Sequence, residues 1–181
     1  QGLLIPANGN VLSTSGAGIA EGISPSLNPA MGNTENAYLQ FSLNNWLGTI
    51  SGSHTAVHWG KKLSQYLSIQ TWNVDNIQLR GEVPSSEPMG TFSVNFLSFA
   101  YSVSHNLHTP FNFGVRLQAN YSHLFTESMQ GITMDAGIRL KLNKYLASGI
   151  VIKNIGYEFI NQYKVELPRE IGLGLQFNLI P

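Results

Sequence analysis

A chain of 181 residues with ten basic and ten acidic side chains is only 11% charged, against about 25% in ordinary soluble domains, which is sparse for a water-facing surface. The absence of cysteine excludes disulfides, zinc–thiolate sites and thiol nucleophiles, and a zero net charge without a basic tract leaves nucleic acid no electrostatic footprint. No uninterrupted apolar run approaches the ~20 residues of a spanning helix, so a helical membrane protein is excluded as well.

The chain opens on Gln1 without an export signal, which reads as a mature chain whose signal has been removed, or as a trimmed one. Residues 1–34 are rich in Gly, Ser, Asn, Ala and Pro, with Glu21 as their one charge. Such a segment is either a flexible terminus or a plug threaded into a barrel, where small side chains allow close packing. Within it, Ser24-Pro25-Ser26-Leu27-Asn28-Pro29-Ala30 is turn chemistry, with two prolines fixing φ.

From residue 35 to 181 the pattern predicts eight strands, at 37–45, 47–59, 63–74, 91–103, 111–125, 132–142, 146–157 and 171–179, and almost no helix. The fifth is the clearest. Phe111, Phe113, Val115, Leu117, Ala119 and Tyr121 alternate with Asn112, Gly114, Arg116, Gln118, Asn120 and Ser122, the mark of a strand with one apolar and one polar face. The second strand is diluted by Ser and Gly, and the fourth changes phase between Phe96 and Leu97, as a bulge would. Strands of this length exceed the usual 5 to 6 residues or so and reach the about 9 to 11 needed to cross a bilayer. The expected fold is therefore all-β: an antiparallel transmembrane β-barrel of about eight strands, with residues 1–34 as plug or tail.

The connections 75–90, 126–131 and 158–170 are longer than 60–62 and 143–145. Outer-membrane barrels likewise alternate long outer loops with short periplasmic turns. Trp46, Trp59, Trp72, Tyr101, Phe125, Tyr145 and Tyr157 fall near strand ends, where aromatic girdles sit. Aromatics are also simply common in strands.

Four stretches occur in series: Ser15-Gly16-Ala17-Gly18-Ile19-Ala20, Asn28-Pro29-Ala30, Met134-Asp135-Ala136-Gly137-Ile138, and Gly149-Ile150-Val151-Ile152-Lys153-Asn154-Ile155-Gly156. In order and content the series resembles the PorV/PorQ family, outer-membrane barrels related to the FadL fatty-acid transporters and associated with type IX secretion in Bacteroidetes-like bacteria. The resemblance implies a fourteen-stranded barrel with the Asn-Pro-Ala segment folded into its lumen. This chain departs from it in length, so it is either a compact eight-stranded relative or part of a larger barrel. The resemblance also implies a bacterial outer-membrane location and a non-enzymatic role as accessory or cargo-handling scaffold of a secretion or surface-attachment assembly, with outer-membrane lipid and other protein subunits as partners. The alternatives are a FadL-like carrier of hydrophobic small molecules and a soluble lipocalin-like binding barrel, the latter with apolar positions turned inward.

Candidate site residues are few. Arg116, Asp135, Arg139, Lys141 and Lys153 share the polar faces of neighbouring strands. They form either a basic patch able to hold an anion or pair with Glu21, or an ordinary salt-bridge network with Asp135 facing Lys153. The plug carries Glu21, Asn28, Pro29 and Ala30. His54 and His58 share one side of a strand, and His105 and His108 flank a turn, but neither pair has a nearby third ligand, so no metal or cofactor is expected. A Ser-His-Asn or Ser-His-Asp set around His123 needs a geometry that composition does not supply. Gly114, Gly137, Gly149, Gly172 and Gly174 mark either a wall that the plug approaches or points that relieve strand crowding.

Overall fold

In the computed structural model, residues 8–31, 36–46, 49–81, 86–108, 110–160 and 163–178 are described. They form one short helix, α1 (Gly9–Ser13), and nine strands: β1 (Tyr38–Trp46), β2 (Ile50–Trp59), β3 (Leu63–Leu79), β4 (Gly90–His108), β5 (Phe111–Leu124), β6 (Glu127–Lys141), β7 (Leu146–Ile160), β8 (Tyr163–Glu166) and β9 (Glu170–Phe177). The strands make a single antiparallel sheet in the order β1 to β8, with β9 also pairing β7. No helix among the described residues is long and apolar enough to cross a membrane.

Alternation fixes which side of the sheet each residue takes, and burial follows it in reverse of the soluble pattern. Along β5, Asn112, Gly114, Arg116, Gln118 and Asn120 are buried while Phe111, Phe113, Leu117 and Tyr121 are exposed. The neighbouring strands agree: Thr133 and Asp135 are buried on β6, whereas Ile132 and Ile138 are exposed. The apolar core among the described residues is correspondingly small, centred on Met31, Ala56 and Tyr66 with Tyr38 packed against it.

Five expectations need correction. The described strands do not close into a barrel, because β1 pairs with β2 alone and β9 with β7 alone. Nine strands form instead of eight. The connection expected at 158–170 is partly strand, β7 running on to Ile160 and folding back as β8. The connection expected at 126–131 is only the two residues Phe125 and Thr126, since β6 begins at Glu127 opposite Leu124. Phe125 adopts a left-handed φ of 56° to make that turn. No bulge occurs at Phe96, whose register with Trp72 and Ser122 is unbroken. Register instead shifts between Val74 and Ile77, between Asn106 and His108 at the end of β4, and between Met134 and Ala136. The start expected for the second strand, at residues 47–48, lies outside the described residues, as do 1–7, 32–35 and 179–181.

The aromatic positions divide. Trp59 and Tyr101 pack together near one end of the sheet with ring centroids 6.5 Å apart, and Phe125 sits at the other end. Trp46 and Trp72 leave the expected girdle and meet edge to face at 6.3 Å, with Trp72 buried on the polar face. Gly52, opposite Trp72 in register, makes this possible: a Cβ there would stand 2.6 Å from the indole ring.

Candidate functional site: the polar face and the segment laid across it

The N-terminal segment begins with a capped turn of helix. The Asn8 side-chain oxygen accepts from the Val11 backbone N–H at 3.1 Å, an N-cap contact. The helix ends as Gly16 N–H reaches the Val11 carbonyl at 3.0 Å, with Ser15 and Gly16 both at positive φ. Beyond it, residues 18–31 cross the polar face of the sheet.

Close approach is set by glycine. A Cβ at Gly114, Gly137, Gly149, Gly172 or Gly174 would come within 3.0 Å of the segment, meeting Pro29 at Gly114, Asn28 at Gly137, and Ile19 at the other three. Gly114 stands directly opposite Gly137, and Gly149 opposite Gly174, so four of the five glycines of this track form cross-strand pairs, while Gly172 faces Val151. The segment makes this close approach at all five positions, and at Gly172 a Cβ would also meet Val151 at 2.9 Å.

Hydrogen bonds then fix the segment on this track. Asn28, fully buried, donates through Nδ2 to the Ile19 carbonyl at 2.8 Å and to the Ile138 carbonyl at 3.3 Å. Its Oδ1 accepts from the Ala30 N–H at 2.9 Å. Asn112 Nδ2 donates to the Met31 carbonyl at 3.0 Å, and Arg139 Nε to the Ala20 carbonyl at 2.7 Å. Strand side chains thus satisfy segment carbonyls that have no ladder partner, as buried backbone requires. Pro29 and Ala30 are buried beside Asn28. At the other end of the segment, Asn8 Nδ2 donates to Gln40 Oε1 on β1 at 3.4 Å.

Of the five charged residues expected to form one cluster, four fall into three groups. Arg116 and Asp135 are register partners on β5 and β6, both buried, with Nη1 3.7 Å from Oδ2. The other Asp135 oxygen accepts from the Asn154 N–H at 2.9 Å, where β7 bulges and Asn154 takes a left-handed φ of 61°. The bulge leaves Lys153 and Asn154 together across from Asp135, and on its other side Lys153 stands opposite Glu170 on β9. Lys153 still feels both carboxylates, but Arg116–Asp135 is the one ion pair within 4.0 Å found among the described residues. Arg139 belongs to the segment's binding site, with Glu21 near enough to attract it. Lys141 is exposed at the sheet end and belongs to none of these groups.

The histidines are separated by their neighbours. His58 shares a 2.5 Å hydrogen bond with Ser64 and stacks on Tyr38, and His105 Nδ1 lies 3.1 Å from the Lys62 carbonyl. His123 Nδ1 pairs with Ser128 Oγ at 3.0 Å, without an acid completing a triad among the hydrogen bonds of the described residues. No cluster of three metal-ligating side chains occurs among them either.

Sequence reasoning missed a group of polar atoms on β1 to β3. Asn44 Nδ2, His54 Nδ1, Gln70 Nε2 and Trp72 Nε1 are buried without a hydrogen-bond partner. They occupy two adjacent cross-strand rows, Asn44–Gly52–Trp72 and Ser42–His54–Gln70. Period-two alternation alone signalled their common face. Along β9, a cleft of about 520 Å³ opens between Leu173–Gln176 and the segment at Ala17–Glu21.

No family model matches the chain, and no curated protein and no solved structure is similar to it.

Proposed function

We propose that the chain is an outer-membrane β-barrel protein, or the larger part of one, that works as a non-enzymatic scaffold in a secretion or surface-attachment assembly of the type IX kind. The observation that carries the membrane reading is the inverted polarity of the sheet. Ile132 is 65% exposed while the adjacent Thr133 is 1% exposed, and the same inversion runs along β5. Water would charge heavily for such a surface, whereas hydrocarbon accepts it and a polar interior accepts the other face. A lipocalin-like barrel would need the opposite orientation. The scaffold reading is supported by the segment, which fills the polar face with buried, hydrogen-bonded backbone in place of a passage. Its assignment to a secretion assembly rests on the resemblance carried by Asn28-Pro29-Ala30 and Met134-Asp135-Ala136-Gly137-Ile138.

The cleft between the segment and β9 favours a second reading, a FadL-like carrier in which a hydrophobic molecule leaves sideways past Leu173 and Leu175. Two measurements separate these readings. The protein is floated with liposomes after urea washing, which an inserted barrel survives and a soluble one does not. Flux of a hydrophobic probe is then compared with and without residues 1–34. Co-purifying subunits without flux support the scaffold; segment-dependent flux replaces it with the carrier.

A further inference from the structure

The chain is neutral overall, but the antiparallel sheet sorts its charges by end. The turn from β2 to β3 and the turn from β6 to β7 lie at the same end of the sheet. They carry Lys61, Lys62 and Lys144, with Lys141 closing β6 beside them, all four exposed. None of the four has an acid within 4.0 Å among the described residues, and Glu21 of the segment is drawn to Arg139 on the polar face instead. The opposite end carries the acids Asp75, Glu87, Glu127, Glu158 and Glu166 against Arg80 and Lys164.

Three of these lysines also border the apolar face. Leu63 follows Lys62, Leu142 follows Lys141 and Tyr145 follows Lys144, and all three of these apolar neighbours are exposed. The Lys144 Nζ stands 4.8 Å from the centre of the Tyr145 ring. Trp59, paired with Tyr101, lies at this end too. Trp and Tyr gather where hydrocarbon meets headgroups, and a lysine stem lies along apolar surface while its ammonium reaches the polar zone beyond. A protein resting on the turns alone would leave the apolar neighbours of the lysines uncovered. A phospholipid covers both at once, with its headgroup on the lysine and its chain on the apolar side.

We propose that Lys61, Lys62, Lys141 and Lys144 form a basic collar that binds the anionic phospholipid headgroups of the leaflet at their end of the sheet. This rests on the membrane reading, in which short connections such as 60–62 face the periplasm. Each lysine near a negative membrane surface contributes an attraction equivalent to about a fivefold change in binding. That attraction fades over a Debye length of about 8 Å at physiological salt, so it acts only on headgroups beside the collar. The acidic end repels the same headgroups, and the preference therefore belongs to one end of the sheet.

The test refolds the full chain into phosphatidylcholine vesicles with and without phosphatidylglycerol. Flotation with phosphatidylcholine alone is scored first: a chain that does not float there removes the membrane reading, and this inference with it. Trp59 then reports the lipid at its end through quenching by brominated phosphatidylglycerol or brominated phosphatidylcholine, and Trp59→Phe isolates its share from that of Trp46 and Trp72. The expected result is phosphatidylglycerol enriched about fivefold beside Trp59 over its bulk share, less so at high salt. Lys61→Gln/Lys62→Gln/Lys141→Gln/Lys144→Gln should abolish the enrichment while still floating with phosphatidylcholine, and the four Lys→Arg counterparts should keep it. Three results overturn the proposal: equal quenching by the two lipids, enrichment that survives the glutamine substitutions, or displacement of phosphatidylglycerol by lipopolysaccharide at a lower phosphate concentration.

Discussion

Asn28 lies so close against Gly137 that a methyl group on residue 137 would overlap its side-chain oxygen. Gly137→Ala should therefore push the segment off β6 while leaving the strand able to pair, since alanine is tolerated by the β backbone. Overpacking of this kind costs about 1 to 3 kcal/mol. The expected outcome is faster proteolytic cleavage within residues 18–31 with unchanged far-ultraviolet dichroism. Equal cleavage in both proteins would show that the segment is not seated on the glycine track.

Asn28 itself satisfies three groups at once, two carbonyls and one N–H. Asn28→Asp keeps the acceptor for Ala30 and loses both donors, while Asn28→Ala loses all three contacts. Each buried group left unsatisfied costs about 1 to 3 kcal/mol. Both variants should release the segment as read by protease protection, and a fully protected Asn28→Ala protein would count against the hydrogen-bond assignment.

The Arg116–Asp135 pair predicts an asymmetry between single and double variants. Asp135→Leu strands a buried guanidinium and orphans the Asn154 N–H; Arg116→Met strands a buried carboxylate. Removing one partner of a buried pair typically costs about 3 to 5 kcal/mol, whereas replacing both with apolar residues is often near neutral. Arg116→Met/Asp135→Leu should thus unfold later in thermal melts than Asp135→Leu alone. Additive losses would mean that the pair is not coupled.

Ile132 on the apolar face gives the sharpest discrimination between solvents. In water, Ile132→Lys at a 65% exposed position should be almost neutral, because surface substitutions usually change stability by less than about 0.5 kcal/mol. In a bilayer, a mid-strand lysine costs about 2 to 4 kcal/mol. Reduced refolding into lipid vesicles by Ile132→Lys, with Thr91→Lys near a sheet end as the tolerant control, is the expected result.

Gln70 offers the opposite sign. Its amide nitrogen is buried and unpartnered, so Gln70→Leu, close in volume, removes an unsatisfied donor and should leave thermal stability unchanged or raised. A clear loss would reveal that the amide has a partner in the working protein.

How much of this was legible in the sequence depended on whether a strand had one period or two influences. β5 and β6 alternate strictly, so their faces and their pairing are legible, although the expected partner of Asp135 is Lys153 and not its register partner Arg116. The glycine track was visible as a pattern on the polar faces, though not which of two reasons explained it. Alternation assumes unbroken register and so sets Lys153 alone opposite Asp135; the bulge places both Lys153 and Asn154 across from Asp135, a step that composition does not announce. Trp72 read as a girdle residue because it lies near the end of a predicted strand, but β3 runs on to Leu79 and Gly52 leaves space for the indole on the polar side. The four residues of β8 were too short to show a period at all.

The contacts of the segment also impose an order in time. Asn28 bonds to Ile138, 110 residues later, and Arg139 to Ala20, 119 residues apart. The segment therefore has no binding place until β5, β6 and β7 have been made and paired. Contacts of such separation form late, and in the meantime the segment must wait in water without associating with neighbours. Its Gly, Ser and Asn content suits that delay, and a more apolar segment on the same glycine track would fit the finished sheet while risking association before the sheet exists.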